Sequence, residues 1–339
     1  MAKYLVTGGA GFIGSHIVEE LRARGENIVI LDNFYSGKPE NLAAGADALP
    51  DWYREKAAAA NVFDLVTWSQ GNVTCIKGDI RDYRACVKAC HGVDYVLHQG
   101  ALRSVPKSMD DPYSYNAVNI DGTLNLLRAA RECGAKRFVF ASSSSVYGDT
   151  DQFPQKETAY PLLISPYALS KLTGEYYCRI FAVNYGLETV ALRYFNVFGP
   201  RQALDDEYAV VIPKFITCIL NGEQPPIFGN GKQSRDFSFV KNVVKANLAA
   251  AVQPKVGGEV FNVACGRDNS VLQLVEFLNE FAGTQIEPKF LPVRLGDVFK
   301  THADITKLSA LLNAAPDYDF KQGLKITFEW FKQKYAAGR

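Results

Sequence analysis

The octapeptide Thr7-Gly8-Gly9-Ala10-Gly11-Phe12-Ile13-Gly14 directly follows a short apolar run at 4–7 and opens a segment with helical periodicity at 13–24. Nothing else in the chain constrains its fold as strongly. Glycines at 8, 11 and 14 let the chain turn tightly, bring backbone N–H groups against a pyrophosphate and pack the next helix close to a sheet, while the helix N-terminus adds a positive end. Asp32 closes the second apolar run, 28–31. A carboxylate there accepts both ribose hydroxyls of an adenosine and repels a 2′-phosphate, so NAD is the expected cofactor rather than NADP. Phe12 and Ile13 belong to the same loop. At the ends of successive runs, Asn33, Asp79, Ile80, Gln99, Ala101 and Tyr194 are further cofactor candidates, joined by Asn119 from the helical stretch 112–133. Asp79 is set against the adenine edge, although acid-turn chemistry alone also accounts for an Asp at that point.

Further apolar runs at 73–77, 95–98, 138–142 and 190–192 alternate with helical patterns, notably 112–133 and 166–185. That alternation predicts βαβ units and an α/β fold: a doubly wound parallel (Rossmann) sheet covered on both faces. Past about residue 198 the texture changes to short strands, turns and loops (Pro225-Pro226, Phe228-Gly229-Asn230-Gly231, Gly257-Gly258), with helices near 271–282 and 321–335. Two interleaved domains are expected: 1–197 plus about 237–264 for the dinucleotide, and a smaller α/β domain, about 198–236 plus 265–339, for the substrate. The stretch 42–70 resists this scheme and reads as a surface helical excursion. With 339 residues, 47% hydrophobic and 22% charged, the chain is neither disordered nor fibrous. Its 37 Lys and Arg against 36 Asp and Glu leave a net charge of +1, so no nucleic-acid partner is expected. No apolar run reaches the ~18 residues of a membrane span, and the N-terminus lacks secretory patterning, giving a cytoplasmic reading. The seven cysteines show no zinc or redox spacing and read as reduced thiols. Four scattered histidines suggest no metal site, and His98 reads as a core residue ending a strand.

Of 17 tyrosines, only Tyr167 has a lysine four residues on, Lys171. Ser165-Pro166 supplies an N-cap and a first-turn proline, which puts both side chains on one face of a helix start. Ser142-Ser143-Ser144-Ser145 ends the fifth predicted strand, at the edge where parallel sheets bind ligands. A phenol is a poor base until cations favour its phenolate, and Lys171 with an oxidised nicotinamide are the expected cations. A serine hydroxyl then orients the reacting alcohol or shares its proton.

The TGGAGFIG loop, the SSSSVYG stretch, SPYALSK, RYFNVFGPRQ and SRDFSFV together resemble the extended short-chain dehydrogenase/reductase family, and within it the UDP-hexose 4-epimerases. The resemblance spans nearly the whole chain apart from 42–70. It implies Tyr167 as proton-transferring tyrosine, Lys171 as its lysine and Ser143 as the catalytic serine. In that family the sugar is oxidised at C4 against bound NAD while the tyrosine takes the hydroxyl proton, and the keto sugar is then reduced on its other face. Related 4,6-dehydratases carry an Asp-Glu pair where this chain has Ser144-Ser145, so epimerisation is expected over dehydration. The resemblance further implies Asn196, Arg235 and Arg294 at the diphosphate or its ribose, Asp297 at the uridine ribose and Phe228 near the uracil. Ser144, Val211 and Lys214 complete the candidate substrate contacts. Thr301 matches a gate where a large tyrosine excludes bulk at C2, so a UDP-N-acetylhexosamine is the expected substrate, with UDP-glucose and UDP-galactose beside it. Arg103 either pairs with a C6 carboxylate, giving a uronic-acid substrate, or contacts NAD phosphates or a neighbouring acid. A redox-sensing module that keeps the dinucleotide and loses catalysis is the non-enzymatic alternative. Homodimers form in the family through a four-helix bundle matching about 112–133 and 166–185.

Overall fold

The computed structural model describes residues 1–42, 49–203, 211–292 and 299–337. Its centre is an eight-stranded sheet: β1 (Lys3–Thr7), β2 (Asn27–Asp32), β3 (Val66–Gln70), β4 (Val73–Lys77), β5 (Tyr95–His98), β6 (Arg137–Ser143), β7 (Glu188–Tyr194) and a last strand, Glu259–Val263. From one edge the order is Glu259–Val263, β7, β6, β5, β1, β2, β4, β3. Every neighbouring pair is parallel except β3 with β4. Period-two alternation sends Val6, Ile28 and Ile30 to one face, against the helices Phe12–Ala23 and Val240–Val252. Leu5, Val29 and Leu31 go to the other, against Tyr83–Cys90, Gly122–Glu132 and Pro166–Tyr185. A separate apolar cluster joins the helices Val211–Asn221, Val271–Ala282 and Phe320–Ala337, with Phe237 stacked on Phe320 at 4.6 Å.

Three expectations need correction. The excursion is only partly helical: Asp51–Ala59 is a helix, but Val66–Gln70 forms the antiparallel edge strand. Tyr53 and Trp68 are buried there while Trp52 is exposed. A half-buried edge strand shows too few alternating apolar positions to register in the sequence. Ser142 and Ser143 consequently end the sixth strand in chain order, not the fifth. The predicted helix 112–133 is broken into Pro112–Tyr115, a π-helical stretch Asn116–Asp121 and Gly122–Glu132. All seven cysteines are free, and His98 is buried at the end of β5. Among the described residues no helix is long and apolar enough to cross a membrane.

The helix Pro166–Tyr185 lies unusually close to β6. A Cβ on Gly174 would sit 2.3 Å from the Phe140 ring, so only glycine permits this approach. On either side of it Lys171 donates to the Ala141 carbonyl (2.8 Å), and Glu175 accepts from the Ser142 hydroxyl. Glu175 also grips Arg193 of β7 through a two-pronged pair, Nε to Oε1 at 2.9 Å and Nη2 to Oε2 at 2.8 Å, both side chains being buried. Glu175→Gln would leave the Arg193 charge buried without its counter-charge. It is expected to lower stability by about 3–5 kcal/mol. The double variant Glu175→Leu/Arg193→Met should recover most of that loss when midpoints of denaturant unfolding are compared.

Candidate functional site

Strand order reverses at β1, with β2 on one side and β5 on the other, so a crevice opens at the C-terminal ends of β1 and β5. Thr7 and His98 close those ends, and their protons are fixed by elimination. Thr123 donates its hydroxyl to the Asn119 carbonyl (2.6 Å), so it accepts from His98 Nε2 (3.0 Å). His98 Nδ1 therefore accepts from the Thr7 hydroxyl (2.7 Å), whose oxygen accepts the Gly100 N–H (3.1 Å). Burial and the Lys171 charge push His98 down to about 3, so it remains a neutral spacer.

Gly100 is thereby pressed against the glycine loop: a Cβ on Gly8 would lie 2.8 Å from Gly100 N, and one on Gly14 would lie 2.1 Å from the Gly8 carbonyl oxygen. Gly11 caps the helix Phe12–Ala23 without a side-chain bond, so its first turn faces the crevice with no side-chain acceptor. Each oxygen of the buried Asp32 accepts one backbone N–H, from Ala10 (2.9 Å) and Phe34 (2.8 Å). Burial raises its pKa and those two bonds oppose the rise. A carboxylate has about four acceptor positions, so room remains for two ribose hydroxyls. The side-chain-free cradle and this half-used carboxylate fit NAD.

Other cofactor candidates hold the crevice's walls. Asp79 accepts from Asn33 Nδ2 (2.8 Å) and from Arg81 Nε, Nη2 and N (2.9 Å each), which fills its acceptor positions. These bonds anchor its turn, the second role the sequence left open for it. Ile80 is buried, with its side chain under Gly122. Gln99, Asn247 and Tyr194 close a ring: Gln99 Nε2 donates to Asn247 Oδ1 (2.9 Å), Asn247 Nδ2 to the Tyr194 hydroxyl (2.8 Å), and that hydroxyl to Gln99 Oε1 (3.0 Å). Asn119 clamps the Leu102 backbone, accepting its N–H (2.8 Å) and donating to its carbonyl (3.0 Å), and donates its other amide proton to Ser170 (3.0 Å). This clamp springs from the π-helical stretch, a feature common at functional sites. It braces the half-buried Ala101 and the exposed Arg103, whose carbonyl accepts the Tyr115 hydroxyl; Ser104 beyond them adopts φ 100°.

Ser165 caps the helix Pro166–Tyr185 by accepting from Ala168 N–H (3.1 Å), as the sequence predicted. Tyr167, Lys171 and Glu175, at successive four-residue steps, address Ser143, Ala141 and Ser142 in turn. Burial holds the Tyr167 phenol above its ordinary range, while the Ser143 hydrogen bond and the Arg103 charge draw it down. Lys171, the expected cation, donates its ammonium to the Ala141 carbonyl and stands 5.9 Å from the Tyr167 ring centroid, and burial pushes it down to about 8.

Across the crevice, Thr301 donates its hydroxyl to Asn196 Oδ1 (2.9 Å) and accepts the Asp236 N–H (3.2 Å). Arg235 Nη1 donates to the Ser234 and Phe299 carbonyls (2.9 and 3.1 Å), so Asn196, Arg235 and Thr301 form one cluster. Phe228 ends the short strand Pro226–Phe228. Val211 and Lys214 stand on the helix Val211–Asn221, half-buried and exposed, with no hydrogen bond to that cluster among the described residues. Ser144 is half-buried beside Ser143. Arg294 and Asp297 lie outside the described residues. Sequence reasoning missed Asn247, Glu175, Arg193 and Asp236. Asp236 is buried beneath Arg235 and accepts the N–H groups of Cys265 (2.8 Å), Gly266 (3.0 Å) and Ala303 (3.3 Å); burial pushes its carboxyl up to about 7. The alternation of Arg235 and Asp236 across the RDF segment was the one available signal.

Comparison with known proteins agrees with this geometry. The profile of the NAD dependent epimerase/dehydratase family matches residues 4–264. A UDP-N-acetylglucosamine 4-epimerase from Methanobrevibacter ruminantium M1, solved in complex with UDP-N-acetylmuramic acid, is 41% identical, with a TM-score of 0.87 over 98% of this chain and 99% of that one. A putative UDP-glucose 4-epimerase of Methanocaldococcus jannaschii is 35% identical, covering 97% of this chain and 98% of its own. A UDP-N-acetyl-alpha-D-glucosaminuronate decarboxylase of Bacillus cytotoxicus is 33% identical, covering 98% of each. Likeness of this depth over nearly the whole chain makes it an NAD-dependent enzyme belonging to the epimerase/dehydratase family of extended short-chain dehydrogenase/reductases.

Proposed function

We propose that the protein is a 4-epimerase of a UDP-hexose, with a UDP-N-acetylhexosamine as its substrate. Residues 1–197 and 237–264 hold NAD in this reading, and 198–236 with 265–339 hold the nucleotide sugar. When bound, NAD supplies the reversible oxidant for C4. Tyr167 takes the O4 proton and returns it, Ser143 holds the oxygen in place, and Lys171 keeps a positive charge beneath the site. One observation carries epimerisation over dehydration: the Ser145 hydroxyl is turned inward onto Ser143 at 2.9 Å. Dehydration needs an acid and a base free at 144–145, and neither serine supplies one. Thr301, small and folded back onto Asn196, supports bulk at C2.

Arg103 supports a second reading, a UDP-uronic acid, because its exposed cation acts on Tyr167 from a doubly braced loop. Subunit pairing is proposed through the outer face of Pro166–Tyr185. Leu169, Tyr176, Ile180 and Val183 are all exposed there at heptad-like spacing, Val183 at 73%.

Proton NMR of the purified protein, without added NAD, is expected to follow inversion at C4 of UDP-N-acetylglucosamine. Thr301→Tyr should lower kcat/KM for that sugar about tenfold or more, ~1.4 kcal/mol, while sparing UDP-glucose. Equal effects on both would end the gate assignment. Arg103→Gly should cost a UDP-uronate up to about 100-fold, the worth of a charge-assisted hydrogen bond, and a neutral sugar far less; equal losses assign Arg103 to Tyr167 alone. Tyr176→Glu with Val183→Glu is expected to yield monomers in light scattering where the parent chain is a dimer.

A further inference from the structure

Gly37 lies against the Asp32 carboxylate: a Cβ on it would sit 2.9 Å from both oxygens and from Ala10 Cβ. The loop 33–42 thus folds back across the end of β2 onto the glycine cradle, where the Ala10 carbonyl accepts the Lys38 N–H (3.0 Å) and Asn41 Nδ2 (2.8 Å). Asp32 is the group that would hold the adenosine ribose, so this loop is the cover at that end of the cofactor. Arg201, 160 residues away in sequence from Asn41, pins the same loop. Its Nη1 donates to the Asn41 carbonyl (3.1 Å), and its Nη2 donates to His16 Nδ1 (2.8 Å) and to the Glu19 carboxylate. We propose that Arg201 is a latch that retains the dinucleotide: it ties the loop over Asp32 to the helix Phe12–Ala23, and NAD leaves the protein only when the Arg201–Asn41 bond opens. The latch concerns the cofactor alone and stands apart from the choice of sugar.

The guanidinium is held for this task from every side. His16 Nε2 faces the Pro200 carbonyl (2.9 Å), which has no proton to give, so Nε2 donates and Nδ1 keeps the lone pair that accepts from Arg201. Burial and the Arg201 charge push His16 down to about 4, so that acceptor persists at neutral pH. Arg201 itself adopts φ 66°, a left-handed conformation that costs a residue with a side chain free energy and survives only where the surroundings over-determine it. The turn that carries it is seated on the helix start. Gln202 N–H returns to the Gly199 carbonyl (3.3 Å), and a Cβ on Gly199 would lie 3.5 Å from the Phe12 ring and 2.6 Å from the Val240 side chain. The far end of the loop has anchors of its own, the buried Leu42 side chain and Arg22 Nη1 on the Leu42 carbonyl (3.0 Å). Losing Arg201 therefore frees the stretch before Leu42 without unseating the chain. Because the donors of a guanidinium form a rigid fork, one residue serves the loop and the helix together, which the single ammonium of a lysine does not.

Protein loaded with isotope-labelled NAD is diluted into excess unlabelled NAD, and the label still bound is followed by gel filtration over time. Arg201→Ala is expected to release the label about ten- to a hundredfold faster than the parent, the worth of a hydrogen bond made by a charged group. Arg201→Lys keeps the charge and loses the fork, so its release should be roughly three- to tenfold faster. Arg137→Gln controls for lowered stability. Arg137 begins β6, at the end of the sheet away from the crevice, where it donates to the Ala250 and Gln253 carbonyls (2.9 and 2.8 Å) and pairs with Glu188. Its substitution is expected to lower the unfolding midpoint and leave release at the parent rate. Release from Arg201→Ala at the parent rate overturns the proposal, and so does an equal acceleration in Arg137→Gln. No sugar takes part in the exchange, so a parent protein that inverts no UDP-sugar would refute the epimerase reading while the latch is decided by these rates alone.

Discussion

The Glu175–Arg193 pair is the contact on which the arrangement of the site depends. It joins the helix that carries Tyr167 and Lys171 to β7, and through Ser142 it also holds the end of β6, one residue short of Ser143. A buried ion pair is weak evidence for stability, since taking two charges out of water costs as much as their attraction returns. Its value here is geometric. Two rigid elements meet in one register only, and the Tyr167–Ser143 distance follows from that register. Gly174 completes the constraint by letting the helix come down onto Phe140.

From Arg193 the contacts run on toward the sugar side. Its guanidinium covers Tyr147 and donates to the Glu157 carbonyl (3.3 Å); Tyr147 bonds Asn262, and Asn262 Nδ2 donates to the carbonyls of Gln155 (2.8 Å) and Asp304 (3.1 Å). Gln155 in turn takes its place beside the Thr301 segment, its N–H donating to His302 carbonyl at 2.7 Å. Ser143 and Thr301, far apart in sequence, are therefore tied by one buried polar network. Polar networks of this kind rigidify the elements they join, although here the buried Gln155 Oε1 has no hydrogen-bond partner among the described residues.

How much of this was legible in the sequence follows from the range of each interaction. The glycine loop, Asp32, the Ser165-Pro166 helix start and the Tyr167–Lys171 spacing are local, and each sits where its pattern implied. The edge strand Val66–Gln70 was lost because only alternate residues face the core. The partners of Asp79 and Asn119 were hidden for a different reason: which neighbours a polar side chain meets is decided by the tertiary fold, here Arg81 and Asn33 for the one and Leu102 for the other. Glu175 and Arg193 are 18 residues apart and lie on a helix and a strand with nothing in their surroundings to pair them. The charge that Arg103 adds at Tyr167 from another loop is likewise tertiary, with no local pattern to announce it.

Asp236 shows why the sugar side had to be built from charges as well as hydroxyls. Three backbone N–H groups converge on the Asp236 carboxylate, and burial nonetheless raises its carboxyl to about 7. A group whose folded pKa lies above its unfolded value adds stability below the unfolded pKa and loses it as pH rises through the folded one. Asp236 therefore opposes folding above neutrality, and the segments it ties, 265–266 and Ala303, are held there at a cost in free energy. Those segments carry Thr301 and flank Arg235. The chain retains the strained anchor because a neutral residue would present at most one acceptor oxygen to three donors, and the loop that meets the sugar would lose its position.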